Sequence, residues 1–258
     1  MNTLGERMKM YESVSKTTLV SRMPIIIRLD GVAFHTFTKG LEKPFCEVLT
    51  KTMEKTMEYL CRNIQGCVFG YTQSDEITLV LVDYKTLNSK GWFGNEVQKM
   101  CSVSASMATM YFNSVFRKYV EEIRKQTFFD DDEQVKRLKI FENKVDTARF
   151  DSRCFNVPKE DVTNCILWRQ NDGTRNSIQA LGQAHFSHKR LQGKNCDEIQ
   201  DMLFCEHKIN WNDLPTKLKR GSCCIRDDYG KWFIDTEIPI FKGESGREYI
   251  EELINVGE

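Results

Sequence analysis

The sequence has no excess of either charge: 37 Lys and Arg stand against 37 Asp and Glu in 258 residues. A chain so balanced has no diffuse field with which to hold a polyanion. Any nucleic-acid contact must come from local basic patches or bound metals. This argues against a nonspecific polyanion binder and favours an enzyme with a focused site. Long apolar spans and a signal peptide are missing too, so the expectation is a soluble, cytoplasmic protein with no membrane partner. None of the ten cysteines stands in a C-x-x-C pair. They are expected as free thiols in a reducing cytosol. The alternative is a zinc site from Cys196, Cys205 and His207, whose spacing fits no standard ligand pattern. No internal repeat or low-complexity linker divides the chain, which is long enough for a substantial core.

What is present is organised around Pro24 to Phe37. Ile25, Ile26 and Ile27 form a β-branched run suited to a buried strand, and the run ends on Asp30-Gly31. A carboxylate there sits at a sheet edge and can face a ligand without being buried unpaired. Gly31 permits a sharp turn and brings a bare carbonyl alongside. Lys43 to Asn63 places Phe45, Val48, Leu49, Met53, Met57 and Leu60 at helical spacing. Cys67 to Thr72 and Ile77 to Val82 read as strands, with Gln73 to Glu76 as their tight connection. Strand, helix and hairpin open a ferredoxin-like β-α-β-β-α-β unit, so the fold class is α+β. That layout brings Asp30 and Asp75 to one sheet edge across 45 residues of sequence.

Two carboxylates at one edge repel each other unless a cation sits between them. Hard oxygen ligands beside a glycine carbonyl suit Mg2+, which keeps several waters and shares its shell with phosphates. Two such ions activate an attacking hydroxyl and stabilise a leaving pyrophosphate. The pair points to nucleotidyl transfer on a polymerase-palm-like sheet, with Asp30, Asp75 and the Gly31 carbonyl as ligands. Ser74 is placed to donate to a phosphate. Glu76 stays open as a ligand, as a group behind the ligands or as a turn residue. Arg28, inside the strand, needs an acidic partner or a phosphate.

Three motifs lie in the first half: Arg28-Leu29-Asp30-Gly31, Phe34-His35-x-Phe37 and Ser74-Asp75-Glu76. Trp168-Arg169-Gln170-x-Asp172, Asn210-x-Asn212-Asp213-Leu214-Pro215 and Lys217-Leu218-Lys219-Arg220-Gly221 follow. In this order they resemble the tRNA-histidine guanylyltransferase family, from about Tyr11 to the strands after Arg220. The resemblance implies a reverse-direction, 3′-5′ nucleotidyltransferase with Asp30, Asp75 and Glu76 in the chemistry. It places Asp30, Gly31, Val32, Ala33, Phe34 and His35 around the nucleotide, with Ser74 and Asp75 facing it and Lys43 near the activated RNA end. It implies two Mg2+ ions, ATP, GTP and other nucleoside triphosphates as substrates, tRNA as partner, and a homotetramer. Members that add guanylate to tRNA-histidine carry His-Ile-Asn-Asn where this chain has Thr174-Arg175-Asn176-Ser177. That departure matches the guanylyltransferase-like branch. The reaction it leads to expect is template-dependent repair of 5′-truncated tRNA, after ATP activation of the 5′ end.

The rest of the chain reads structurally. Asn2 to Ser13 suggests a helix serving as a packing arm, Asn95 to Gln126 a long helix rich in small residues, and Gln134 to Lys144 a surface helix. Phe150 to Phe155 is the fourth strand. Residues 1–157 would form the palm-like unit, and residues 158–258 a helical and hairpin extension packed on it. Two helices, Glu160 to Gln170 and Asn176 to Leu191, precede a hairpin of Cys223 to Arg226 with Trp232 to Thr236. A surface helix is expected in the tail that ends at Glu258. Lys189 with Arg190, Lys217 with Lys219 and Arg220 beside Trp211, and Arg28 are the candidate RNA contacts. The alternatives are guanylate addition to tRNA-histidine, a free-nucleotide cyclase or dinucleotide synthase, and a non-catalytic tRNA-binding module.

Overall fold

The computed structural model describes residues 3–256, so Asn2 and Glu258 lie outside the described residues. Ten α-helices and six strands alternate along them: α1 Leu4–Ser13, β1 Ile25–Gly31, α2 Phe34–Phe37, α3 Glu47–Asn63, β2 Cys67–Gln73, β3 Glu76–Leu81 and α4 Val97–Gln126. Then come α5 Asp132–Glu142, β4 Phe150–Asn156, α6 Lys159–His185, α7 His188–Leu191, α8 Cys196–His207 and α9 Thr216–Arg220. The chain closes with β5 Ser222–Arg226, β6 Trp232–Asp235 and α10 Glu244–Ile254. No helix among the described residues is long and apolar enough to cross a membrane.

All six strands form one antiparallel sheet in the order β4-β1-β3-β2-β5-β6. The first four have the expected ferredoxin-like order. The C-terminal hairpin extends that same sheet by pairing β5 with β2. Ile25, Ile27 and Leu29 face Met53, Met57 and Leu60 of α3 and Phe112 and Phe116 of α4. Ile26 points the other way, into Val162 and Ile166 of α6 and Ile250 and Ile254 of α10. Helices cover both faces, which is why the strand is three consecutive isoleucines rather than an alternating pattern.

Three expectations are corrected. The two helices foreseen around Gly173 are one continuous α6. Gly173 lies against β2, where a Cβ would come 2.9 Å from the Gln73 side chain and 3.2 Å from the Tyr71 hydroxyl. The glycine marks close helix–sheet packing, not a break. The tail helix α10 is amphipathic, and Ile250 and Ile254 are fully buried; the Tyr84 hydroxyl donates to the Ile254 carbonyl at 3.0 Å. Helix α1, expected to pack, buries no residue. As for the zinc alternative, Cys196 and His207 sit at opposite ends of α8. About 16 Å of helix, at roughly 1.5 Å per residue, separates them.

Gly31 also has a different job from the one expected. It is the last residue of β1, with no left-handed φ; the sharp turn falls one residue beyond Val32, at Ala33 (φ 57°). A Cβ on Gly31 would lie 2.3 Å from the Phe34 ring, which is buried against Phe37, Phe112 and Phe150. Gly31→Ala must displace that ring, so it is expected to destabilise the fold by about 1–3 kcal/mol. A lower urea midpoint at unchanged slope would show it; an unchanged midpoint would mean that the ring has room.

Candidate active site

The antiparallel register of β1 sets the site. Asp30 pairs with Glu76 of β3 on one side and with Asp151 of β4 on the other. The two-residue turn Ser74-Asp75 joins β2 to β3, and the Gly31 N–H donates to the Asp75 carbonyl at 3.1 Å. Four carboxylates, those of Asp30, Asp75, Glu76 and Asp151, therefore collect at one end of the sheet.

They are not equivalent. Glu76 receives a two-pronged contact from Arg169 of α6, Nε to Oε1 at 2.6 Å and Nη2 to Oε2 at 2.7 Å. The pair is largely shielded, with side chains only 12% and 16% exposed. Asp172, one turn on, accepts from the same guanidinium at 3.0 Å. Asp151 has Arg153 at 3.1 Å, in a solvent-exposed pair. Asp30 and Asp75 have no arginine or lysine against them among the described residues. Burial first, and then the charge of Asp30, raises the Asp75 carboxyl above its ordinary range. The Ser74 hydroxyl donates to Asp75 Oδ1 at 3.0 Å and partly offsets this.

No three His, Cys, Asp or Glu side chains converge as a ready-made metal cage among the described residues. Two carboxylates without counter-ions nevertheless fit a hard cation that brings its own waters and phosphate oxygens. They do not fit a structural metal, which needs a closed set of protein ligands.

The other candidates separate into groups. Val32, Ala33 and His35 are exposed on the loop following Asp30. Phe34 is in the core, so only its backbone is available to a ligand. Lys43, Ser74 and Lys217 line a cavity of about 230 Å3 on the α3 side of the hairpin turn. Arg28 reaches neither an acid nor a backbone group among the described residues; its guanidinium lies 5.3 Å from the centre of the Trp168 ring, which is 52% exposed. Lys219 donates to the Asn212 carbonyl and, like Arg220, lies near the Trp211 ring. Lys189 and Arg190 do not join them. They sit on α7, beyond the end of α6 and about 24 Å along it from Arg169, at roughly 1.5 Å per residue. Arg190 is moreover paired to Glu206.

Arg169 was legible only as part of a motif, and its role as the counter-ion of Glu76 needed the fold. A raised carboxyl pKa means that the native state binds protons more tightly than the unfolded chain. Stability of the metal-free protein is then lost as pH rises from about 4 through the raised value of Asp75. Asp75→Asn is expected to melt above the parent near pH 7, with the gap closing near pH 4, in thermal melts without divalent ions. Mg2+ should raise the parent's melting temperature and leave that of the variant unchanged. A gap that persists at low pH would locate the effect elsewhere.

The family model described as tRNAHis guanylyltransferase matches residues 5–158. The tRNA(His) guanylyltransferase of Saccharomyces cerevisiae is 27% identical over 216 residues, which cover 78% of this chain and 82% of that protein. A solved bacterial tRNA(His) guanylyltransferase-like protein in complex with ATP superposes with a TM-score of 0.85 at 40% identity, covering 98% of this chain and all of that one. A second, in complex with GTP, gives 0.76 at 36% identity over the same 98% of this chain and all of its own.

Proposed function

The chain belongs to the tRNAHis guanylyltransferase family of nucleotidyltransferases, and on that premise we propose that it extends tRNA at the 5′ end by templated addition, in the 3′-5′ direction. The observation that carries this reading is the pair Asp30 and Asp75, left without counter-ions at an edge where both neighbouring carboxylates have an arginine. Repulsion of that kind is costly unless a cation is bound during use. Asp30, Asp75 and the Gly31 carbonyl would hold Mg2+, which would supply positive charge for the attacking oxygen and for the leaving group, pyrophosphate in the activation and AMP in the transfer.

The chain's own residues supply the rest. Ser74 holds the Asp75 carboxylate through its hydroxyl, and Lys43 at the cavity offers a charge for phosphate. ATP first converts a 5′-monophosphate end to an adenylylated one with loss of pyrophosphate. The 3′ hydroxyl of the incoming nucleotide then attacks the terminal phosphate of the RNA, and AMP leaves. The bacterial relatives bound to ATP and to GTP support both nucleotides as substrates.

The segment Thr174-Arg175-Asn176-Ser177 favours repair over untemplated guanylate addition. Arg175 is spent on Asp172 at 2.7 Å. Ser177 accepts from the Trp211 indole at 3.0 Å and donates to the Leu218 carbonyl at 2.7 Å. Arg175 and Ser177, two of the residues standing where other members carry His-Ile-Asn-Asn, thus brace the protein itself.

The test offers a 5′-labelled tRNA lacking its first nucleotide, with ATP, all four nucleotides and Mg2+, varying the base at the opposing 3′ position. Addition of the complementary nucleotide alone, stopping at full length, is expected. Asp30→Ala should lower the rate by roughly a hundredfold or more. Guanylate added beyond the first pair of an intact tRNA-histidine would overturn the templated reading. Product from nucleotides without RNA would replace it with a free-nucleotide synthase.

A further inference from the structure

The cavity beside Ser74, at about 230 Å3, exceeds the roughly 150 Å3 void that takes up benzene, so a flat heteroaromatic base fits it. Leu41, Phe45, Leu49 and Met53 give it apolar walls. Two carboxylates line it: Glu42, which is exposed and paired with Arg137, and Glu54 of α3, which is only 7% exposed. Its Oε1 accepts from the Ser222 hydroxyl at 2.8 Å. Its Oε2 has no partner among the described residues, yet it is not sealed away from the cavity as an orphaned buried atom would be. Lys43 and Lys217 line the same cavity, yet no basic side chain among the described residues forms an ion pair with Glu54. A carboxylate held this deep by one neutral donor is costly unless something entering the cavity supplies further N–H groups.

We infer that Glu54, backed by Ser222, reads the base of a bound nucleotide and selects guanine. This rests on the reading that Asp30 and Asp75 hold a nucleoside triphosphate. Ser74 links the two places, since its hydroxyl bonds Asp75 while the residue lines the cavity. Guanine alone carries two adjacent donors, N1–H and the 2-amino group, matched to the two oxygens of a carboxylate. Adenine and cytosine set one amino group beside an acceptor nitrogen, and the uracil N3–H lies between two carbonyls. The grip occupies the edge that would pair with a template. The guanine so held therefore belongs to an unpaired nucleotide, one that activates the RNA 5′ end, a step in which GTP would serve beside ATP.

Equilibrium dialysis of the full chain with GTP, xanthosine triphosphate and ATP, in Mg2+ and without RNA, tests this. The parent should bind GTP about tenfold tighter than xanthosine triphosphate, the scale of one hydrogen bond to a charged group. Glu54→Gln should invert that preference, because a carboxamide accepts from N1–H and donates to the 2-oxo group of xanthine, while ATP affinity stays within about twofold. A misfolded variant cannot gain affinity for xanthosine triphosphate, so the gain itself controls for structure. An unchanged ratio of GTP to xanthosine triphosphate, or an equal loss for every nucleotide, would overturn the assignment. Asp30→Ala separates the two readings. It should weaken all three triphosphates and keep the guanine preference. Undiminished triphosphate affinity in that variant would count against the metal pair, while the Glu54 assignment would stand or fall on the ratio alone.

Discussion

The site depends on one backbone hydrogen bond, from the Gly31 N–H to the Asp75 carbonyl. It continues the β1–β3 ladder one step past its last paired residues, and in doing so it fixes the carboxylates of Asp30 and Asp75 at one end of the sheet. Side chains do not choose this arrangement, since like charges repel. The ladder imposes it, with Leu29↔Ile77 and Asp30↔Glu76 holding the register. Because both faces are covered, the isoleucines would stay buried after a slip of one residue, but Arg28 and Asp30 would turn into the core under α3 and α4. Keeping those two charges out of that core therefore enforces an electrostatically unfavourable juxtaposition at the end of the strand. Stability of the core is coupled to the geometry of the chemistry.

Electrostatic relief at this edge is selective. Arg169 neutralises Glu76 through two bonds in a shielded setting, and Asp172 holds the guanidinium from the other side. This makes Glu76 a brace that ties α6 to the hairpin, not a free ligand. It also explains why the C-terminal half matters to a site whose acids all come from the first 151 residues. Helix α6 carries the counter-ion, Ser177 on the same helix fixes the Leu218 carbonyl, and β5 supplies Ser222. The second half thus completes the surroundings of the palm-like strands by extending their sheet and covering its open face.

The sequence announces the acids and hides what surrounds them. Asp30 and Asp75 are legible because strand, helix and hairpin patterns are local, and because the ferredoxin-like order leaves one way to arrange them. The order β4-β1-β3-β2 follows from the same patterns. The continuity of α6 was not legible, since Asp172-Gly173-Thr174 has the composition of a turn; only the closeness of Tyr71 and Gln73 shows why a glycine stands inside the helix. The burial of α10 was obscured by its acidic residues, which share the helix with Ile250 and Ile254. Glu54 did leave a trace. It precedes Met57 by three residues and Cys61 by seven, on the stripe of α3 that is otherwise apolar. A glutamate at such a position signals either an ion pair or a ligand, and no ion pair to it forms among the described residues.

These features bear on how a chain with no net charge handles a polyanion. A phosphate approaching the edge of the sheet meets two uncompensated carboxylates, so without a cation this end of the molecule repels its own substrate. The nearby positive groups are few: Arg169 is already engaged, Arg28 lies against Trp168, and Lys43 and Lys217 stand at the cavity. Affinity for a triphosphate must then rise steeply with the cation, whereas affinity for a base buried among Leu41, Phe45 and Met53 need not. On the proposed reading, phosphate and base would be held by physically independent means, one ionic and cation-dependent, the other apolar with a directional acceptor. Such a division would let the chain discriminate nucleotides without a diffuse positive surface, which its composition does not provide.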